Sequence, residues 1–257
     1  SQYKPTFCHP CTFLNPFLVA PLRAATHNKK LGINMNKLLT LTAGSMLAIC
    51  AVQASAEKVT QNAAFVTDYV WRGISQTDNS AAIQAGADYS NGNSYASVWV
   101  SNVDDGTGAE GAPLEMDVSF GYNNQFDKFN LDMSITTYNY LHDNATDLTE
   151  FRVATTPMKG LEVALNREIK EKYWYPEVTY EKFLQNRLYL DLSAGFWSFD
   201  GGDSALSFRA ELARDFPEFH HIDLFAALTY ISDDRVYADN IKGDADSLFL
   251  VGIRKRF

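Results

Sequence analysis

The chain has 257 residues, 46% of them hydrophobic and 21% charged, with a net charge of −9 and a pI near 5.0. That length suits one large domain or two small ones. The acidity argues against a broad basic face for nucleic acid, and 13% aromatic residues with only 15 Gly and 8 Pro exclude collagen-like and low-complexity chains.

The charge is uneven along the chain. Five of the 22 basic residues (Lys4, Arg23, Lys29, Lys30 and Lys37) precede Glu57, and none of the 31 acidic residues does, so residues 57–257 carry −14. Cys8, Cys11 and Cys50 also precede Glu57, which excludes disulfides and thiol chemistry beyond it.

Met35-Asn36-Lys37, the apolar stretch 38–52 and Ala54-Ser55-Ala56 have the order of a secretory signal peptide. Residues 35–56 are therefore expected to be an export signal cleaved after Ala56. Leu47-Ala48-Ile49-Cys50 approaches a lipoprotein signal, but Ile49 stands where a small residue is needed. Residues 1–34 read as an upstream translation artefact or a disordered extension. Cys8-His9-Pro10-Cys11 has a metal-like spacing with no second ligand pair to complete it.

From Glu57 onward the hydrophobic period is two, which is the mark of strands with two unlike faces. Phe65, Thr67, Tyr69 and Trp71 alternate with Val66, Asp68, Val70 and Arg72; Leu114, Met116, Val118 and Phe120 alternate with Glu115, Asp117, Ser119 and Gly121. The same pattern recurs around 83–89, 129–136, 161–166, 188–196 and 206–213, and more weakly near 94–101, 148–156, 173–183, 222–232 and 246–257, which makes 12 strands. A tilted membrane strand takes about 9–11 residues, so twelve leave about 7 for each of 11 connections.

The connections alternate. Asn91-Gly92-Asn93, 123–128, 157–160, 184–187 and 217–221 are short, whereas 102–113, 141–147 and 233–245 are longer and polar. Short turns at one end and long acidic loops at the other are the layout of an outer-membrane barrel, with both termini at the short-turn, periplasmic end. A soluble barrel would turn its apolar face inward, yet an eight-stranded barrel is already nearly filled by side chains. Twelve strands suit the reverse arrangement, with lipid outside and a polar interior, and closure leaves no unpaired edge in hydrocarbon.

The expected fold class is an all-β, antiparallel, up-and-down transmembrane barrel over 57–257. Asp68, Arg72, Glu115, Asp117, Arg152, Arg209 and Glu211 are the candidate pore-lining residues, with Arg72, Arg152 and Arg209 set opposite the carboxylates. Asp68 and Arg72, if on one strand, stand about 13 Å apart at ~3.3 Å per residue and must pair across strands. Phe257, preceded in twos by Ile253, Val251 and Phe249, has the form of a C-terminal assembly signal, although Lys255 interrupts the apolar series. Tyr69, Trp71, Tyr122, Tyr140, Trp174 and Tyr230 are candidates for aromatic belts at the membrane interfaces.

Asp68-Tyr69-Val70-Trp71-Arg72-Gly73-Ile74-Ser75-Gln76 resembles the first-strand motif of the TorF-type porin family, a proteobacterial outer-membrane barrel family of unknown function. Residues 95–104, YASVWVSNVD, resemble its third-strand motif, with Ala96 and Ser97 where more glycine is expected. Glu115-Met116-Asp117-Val118 with Gly121-Tyr122 resembles the next segment. The resemblance implies an outer-membrane barrel with a channel role; it names no solute.

The function expected is a narrow passive channel for small hydrophilic solutes or ions, cation-leaning because carboxylates outnumber guanidinium groups on the polar face. The alternative is a non-conducting structural or adhesion-type barrel. Expected partners are outer-membrane lipid, the barrel-assembly machinery and the solutes themselves, in the outer membrane of a Gram-negative bacterium. An enzyme is not expected: the histidines beyond Glu57 are His142, His220 and His221, and no nucleophile motif accompanies them. No nucleotide-binding loop, EF-hand or zinc motif occurs, so no cofactor is expected.

Overall fold

Alternating sequence becomes antiparallel sheet in a computed structural model of the protein, which describes residues 59–104, 114–127, 129–141, 147–220, 222–236 and 243–257. The strands are β1 (Val59–Val66), β2 (Val70–Trp71), β3 (Ile74–Ser75), β4 (Ala82–Asn91), β5 (Ser94–Asn102), β6 (Leu114–Gln125) and β7 (Asn130–Tyr140). They continue as β8 (Leu148–Met158), β9 (Leu161–Glu168), β10 (Tyr173–Phe183), β11 (Leu188–Phe199), β12 (Ser204–Phe216), β13 (Ile222–Ile231) and β14 (Asp246–Arg256). Among the described residues, all except β2 and β3 form one closed barrel of 12 strands. Each of these strands pairs with its sequence neighbours. The ring closes where Ala64 of β1 faces Arg254 of β14 on one side and Gln84 of β4 on the other.

The export signal expected at 35–56, its cleavage after Ala56 and the segment 1–34 lie outside the described residues, as do Asp105, His142, Asp143 and His221.

The two faces separate as the alternation requires. Ile83, Phe120, Phe151, Leu228 and Phe249 are exposed on the outside, while their neighbours in sequence turn inward and are buried or half-buried. Phe249, Val251, Ile253 and Phe257 all lie on the outer face at the last strand, and the Phe257 amide donates to the Gln61 carbonyl at 2.8 Å, continuing the seam past Arg256. Lys255 shares that face, its Nζ 4.9 Å from the Phe257 ring centre.

Short connections (92–93, 126–129, 159–160, 184–187 and 217–221) gather at one end of the barrel, where β1 begins and β14 ends. Gly92, in a left-handed conformation at φ 59°, makes the two-residue turn that Asn91-Gly92-Asn93 encodes. At the opposite end β5, β7 and β13 finish and β6, β8 and β14 begin; it also carries 169–172 and 200–203, which are as short as the turns below.

The first strand is shifted from where the alternation put it. Alternation over 65–72 suggested a strand carrying Asp68 and Arg72 on one face, but β1 stops at Val66. Residues 67–81 form a loop, L1, that folds into the barrel and carries the small β2–β3 hairpin. Tyr69 and Trp71 are accordingly buried in the interior, as is Tyr140, and none of the three reaches an interface belt. Tyr122, Trp174 and Tyr230 are exposed on the outer face.

Glycines on the inner wall shape the interior. A Cβ at Gly195 would overlap the Tyr175 ring, one at Gly121 the Tyr95 ring, and one at Gly252 the Phe225 ring. Each ring covers a glycine of the adjacent strand. Replacing Gly195 by Val is expected to destabilise the barrel by about 1–3 kcal/mol through overpacking. In detergent, the change from fast- to slow-migrating species on heating should then occur at lower temperature than for the wild type; an unchanged midpoint contradicts the packing.

Candidate functional site in the barrel interior

L1 turns inward because its sequence is built for turning. Trp71 and Ile74 face each other across a two-residue turn in which Arg72 (φ 42°) and Gly73 (φ 95°) both have positive φ, the form that matches the twist of a hairpin. Glycine takes that conformation freely, but an arginine there is strained by about 1–3 kcal/mol. A Cβ at Gly73 would also lie 2.7 Å from the Ile231 Cβ, so the turn presses against β13.

Asp68 knots the loop. It accepts from the Ser75 hydroxyl at 2.7 Å and the Thr77 hydroxyl at 3.1 Å, while the Tyr69 amide donates to the Thr77 oxygen at 3.1 Å. Burial raises the Asp68 carboxyl above its ordinary range, and the two hydroxyls oppose that shift. Within the loop the Gln76 backbone amide donates to the Tyr69 carbonyl at 2.6 Å, and the Asp104 amide, outside it, donates to the Gln76 carbonyl at 2.8 Å.

Arg72, at the tip, is held by the far wall. Its Nη1 and Nη2 donate to the two oxygens of Glu150 on β8 at 2.9 and 3.0 Å, and both side chains are nearly sealed from solvent. Glu150 also accepts from the Tyr173 hydroxyl at 2.9 Å and the Tyr138 hydroxyl at 3.3 Å. Those four bonds use the four acceptor positions a carboxylate offers. The guanidinium lies 3.9 Å from the Tyr175 ring centre, 4.4 Å from Trp71 and 5.3 Å from Trp197. Desolvated contacts of this kind are worth about 2 kcal/mol or more. Trp71 meets Trp197 edge-on at 4.7 Å, and the Trp197 indole nitrogen donates to the Arg72 carbonyl at 3.4 Å. Gly195 is what allows this platform: Tyr175 lies over it with its hydroxyl 2.7 Å from that of Ser207.

A second acidic group stands beside this one. Glu115 accepts from Tyr140 at 3.0 Å and Tyr69 at 3.2 Å. Asp117, one inward step along β6, is buried, and no hydrogen-bond donor of the described residues reaches either of its oxygens.

Toward the short-turn end the inner wall is more exposed and its charges pair along the wall. Arg152 bonds Asp132 at 3.3 Å and also Glu162. Arg209 bonds Glu211 of its own strand at 2.6 Å, and Arg254 bonds Glu211 at 2.7 Å and Asp223 at 3.3 Å. At the long-loop end, Arg167 donates twice to Asp200 in the β11–β12 turn and holds that carboxyl below its usual range.

The structure thus places Asp68 and Arg72 in the inserted loop and Glu115, Asp117, Arg152, Arg209 and Glu211 at inward strand positions. Of the three arginines expected opposite those carboxylates, only Arg209 bonds one, Glu211, and along its own strand; Arg72 pairs with Glu150, and Arg152 with Asp132 and Glu162. Sequence reading missed Glu150 and the rings of Tyr173, Tyr175 and Trp197. The one available signal for the inserted loop was its run of turn-formers, Gly73, Ser75, Thr77, Asp78, Asn79 and Ser80, directly after an aromatic pair. Among the described residues no cluster of His, Cys, Asp or Glu has the geometry of a metal site.

A closed 12-strand barrel, apolar outside and charged within, is the fold of outer-membrane porins. The chain belongs to a family described as "Bacterial protein of unknown function (Gcw_chp)", whose model matches residues 50–214. No curated protein sequence matches it. Among solved structures it is similar to KdgM porin, with 9% sequence identity, 77% of this chain and 99% of that chain covered, and a TM-score of 0.51. The Acinetobacter baumannii outer membrane protein Omp33 matches with 10% identity, coverage of 78% and 97%, and a TM-score of 0.45. At 9% identity the likeness to KdgM porin is one of fold.

Breaking one partner of a buried ion pair costs about 3–5 kcal/mol, because the other charge is left uncompensated. Glu150→Gln should therefore loosen L1: limited proteolysis of the detergent-folded protein is expected to cut within 67–81 while leaving the rest of the barrel intact. Equal resistance in variant and wild type would contradict the latch.

Proposed function

We propose that the protein is a narrow passive channel of the Gram-negative outer membrane, a porin of the TorF type, for small hydrophilic solutes or ions. The observation that carries the reading is that charged side chains, which hydrocarbon would penalise heavily, face a common interior, while the outer face is apolar over the whole ring. Long loops then face the outside of the cell and the short turns the periplasm. L1 occupies much of the outer half of the interior, so the permeable path runs beside the loop and then between the Arg152 and Arg209–Arg254 clusters.

Cation preference is part of the proposal. Asp88, Asp132, Glu162, Asp191, Glu211 and Asp223 stand on the inner wall with Arg152, Arg209, Arg254 and, at the rim, Arg256, so the wall is net acidic. Reversal potentials across planar bilayers in a salt gradient should show a modest preference for cations. Anion preference removes that part of the reading, and absence of any conductance removes the channel.

A second reading, a non-conducting structural or adhesion-type barrel, is favoured by one observation: Trp71, Tyr173, Trp197 and Ile231 are completely buried where L1 packs. The same bilayer measurement separates the two.

Phe249, Val251, Ile253 and Phe257 are proposed as the mark read by the barrel-assembly machinery. Phe257→Ala is expected to lower the yield of heat-modifiable barrel in membranes several-fold without changing the melting of the fraction that assembles. An unchanged yield would remove that role.

A further inference from the structure

The seat of Arg72 has the composition of a recognition site rather than of a wall. A carboxylate presented edge-on to a planar fork, two hydroxyls completing its lone pairs, and aromatic faces against the cation are the elements that bind guanidinium groups. Glu150, Tyr138, Tyr173, Tyr175 and Trp197 all belong to barrel strands. Only the guanidinium and Trp71 come from L1, and the guanidinium is delivered by a residue in a strained, left-handed conformation. A wall residue in a permanent ion pair needs no such turn, since Arg152 pairs with Asp132 and Glu162 from a regular strand position.

We infer that the Glu150 cage is a guanidinium-binding site of the channel, occupied in this structure by the protein's own Arg72, and that a guanidinium-bearing solute competes with Arg72 for it. The inference deepens the channel reading by giving it a solute class, and it rests on that reading only for the passage of the solute. The geometry selects against simple ammonium ions. A single-point cation reaches one carboxylate oxygen well, whereas the planar fork meets both with its carbon 3.9 Å from the Tyr175 ring centre.

Competition makes the inference testable on the folded full chain. Methylguanidinium, titrated at constant ionic strength with tryptophan fluorescence as the readout, should bind wild-type protein saturably and weakly, because Trp71 and Trp197 report on the cage. Arg72→Ala removes the internal competitor and should bind at least tenfold more tightly. Adding Glu150→Gln to that variant should abolish the response, and methylammonium should bind at least tenfold more weakly than methylguanidinium. Binding no tighter in Arg72→Ala than in wild type, a response that survives Glu150→Gln, or equal binding of methylammonium overturns the inference. If Arg72→Ala yields no heat-modifiable barrel, Arg72→Lys takes its place: it keeps the charge but not the fork, and must still bind more tightly than wild type. Binding in this pattern by a protein that conducts nothing keeps the site and removes the channel, whereas conduction without binding does the reverse.

Discussion

Everything in this structure follows from the closure of β1 on β14. A strand edge carries unpaired amides and carbonyls that hydrocarbon cannot satisfy, so a sheet in a membrane must end where it began. Once the ring is closed, each strand has one face toward lipid and one toward the interior, and the period of two sorts every side chain. The acidic character of residues 57–257 then becomes a problem of the interior, where charges must find partners or water.

The interior solves that problem differently in its two halves. Near the short turns, arginines and carboxylates pair along the wall, as Arg254 does with Glu211 and Asp223, and leave room beside them. Near the long loops the carboxylates of Glu115, Asp117 and Glu150 lie close among aromatic side chains, and the arginine that bonds Glu150 does not belong to the wall. The positive charge arrives instead on L1. Insertion of that loop also buries Tyr69 and Trp71, whose rings would otherwise stand in water above β1. One movement of the chain thus compensates a carboxylate and hides two aromatic side chains.

The glycines of the inner wall are the less visible half of this design. Strand glycines are normally a weakness, since they add backbone entropy and pack nothing. Here Gly195 is the bed of Tyr175, Tyr175 is the platform under Arg72, and Arg72 is the bond between L1 and the far wall. A short-range constraint on one strand therefore helps set where L1 is anchored several strands away.

The architecture was legible in the sequence because lipid imposes a local rule. Alternation, strand length and turn residues are read within ten residues of themselves, and they placed the strands from β4 to β14, including β10 and β13, whose patterns were the least clean. They also put Glu115, Asp117, Arg152, Arg209 and Glu211 on the polar face. The same rule failed at 65–72, because a hairpin and a strand share a period of two. The alternation of Tyr69 and Trp71 with Val70 and Arg72 could not say that the chain had left the wall. Nor could sequence pair Arg72 with Glu150, 78 positions away, or find the rings of Tyr173, Tyr175 and Trp197 around it. Those contacts depend on the registers that closure imposes and on the volume left inside, quantities that exist only once all 12 strands are in place. The sequence by itself determined which face of each strand meets lipid, since that is a property of neighbouring residues. Only the tertiary structure decided what fills the space enclosed, since that depends on residues brought together across it.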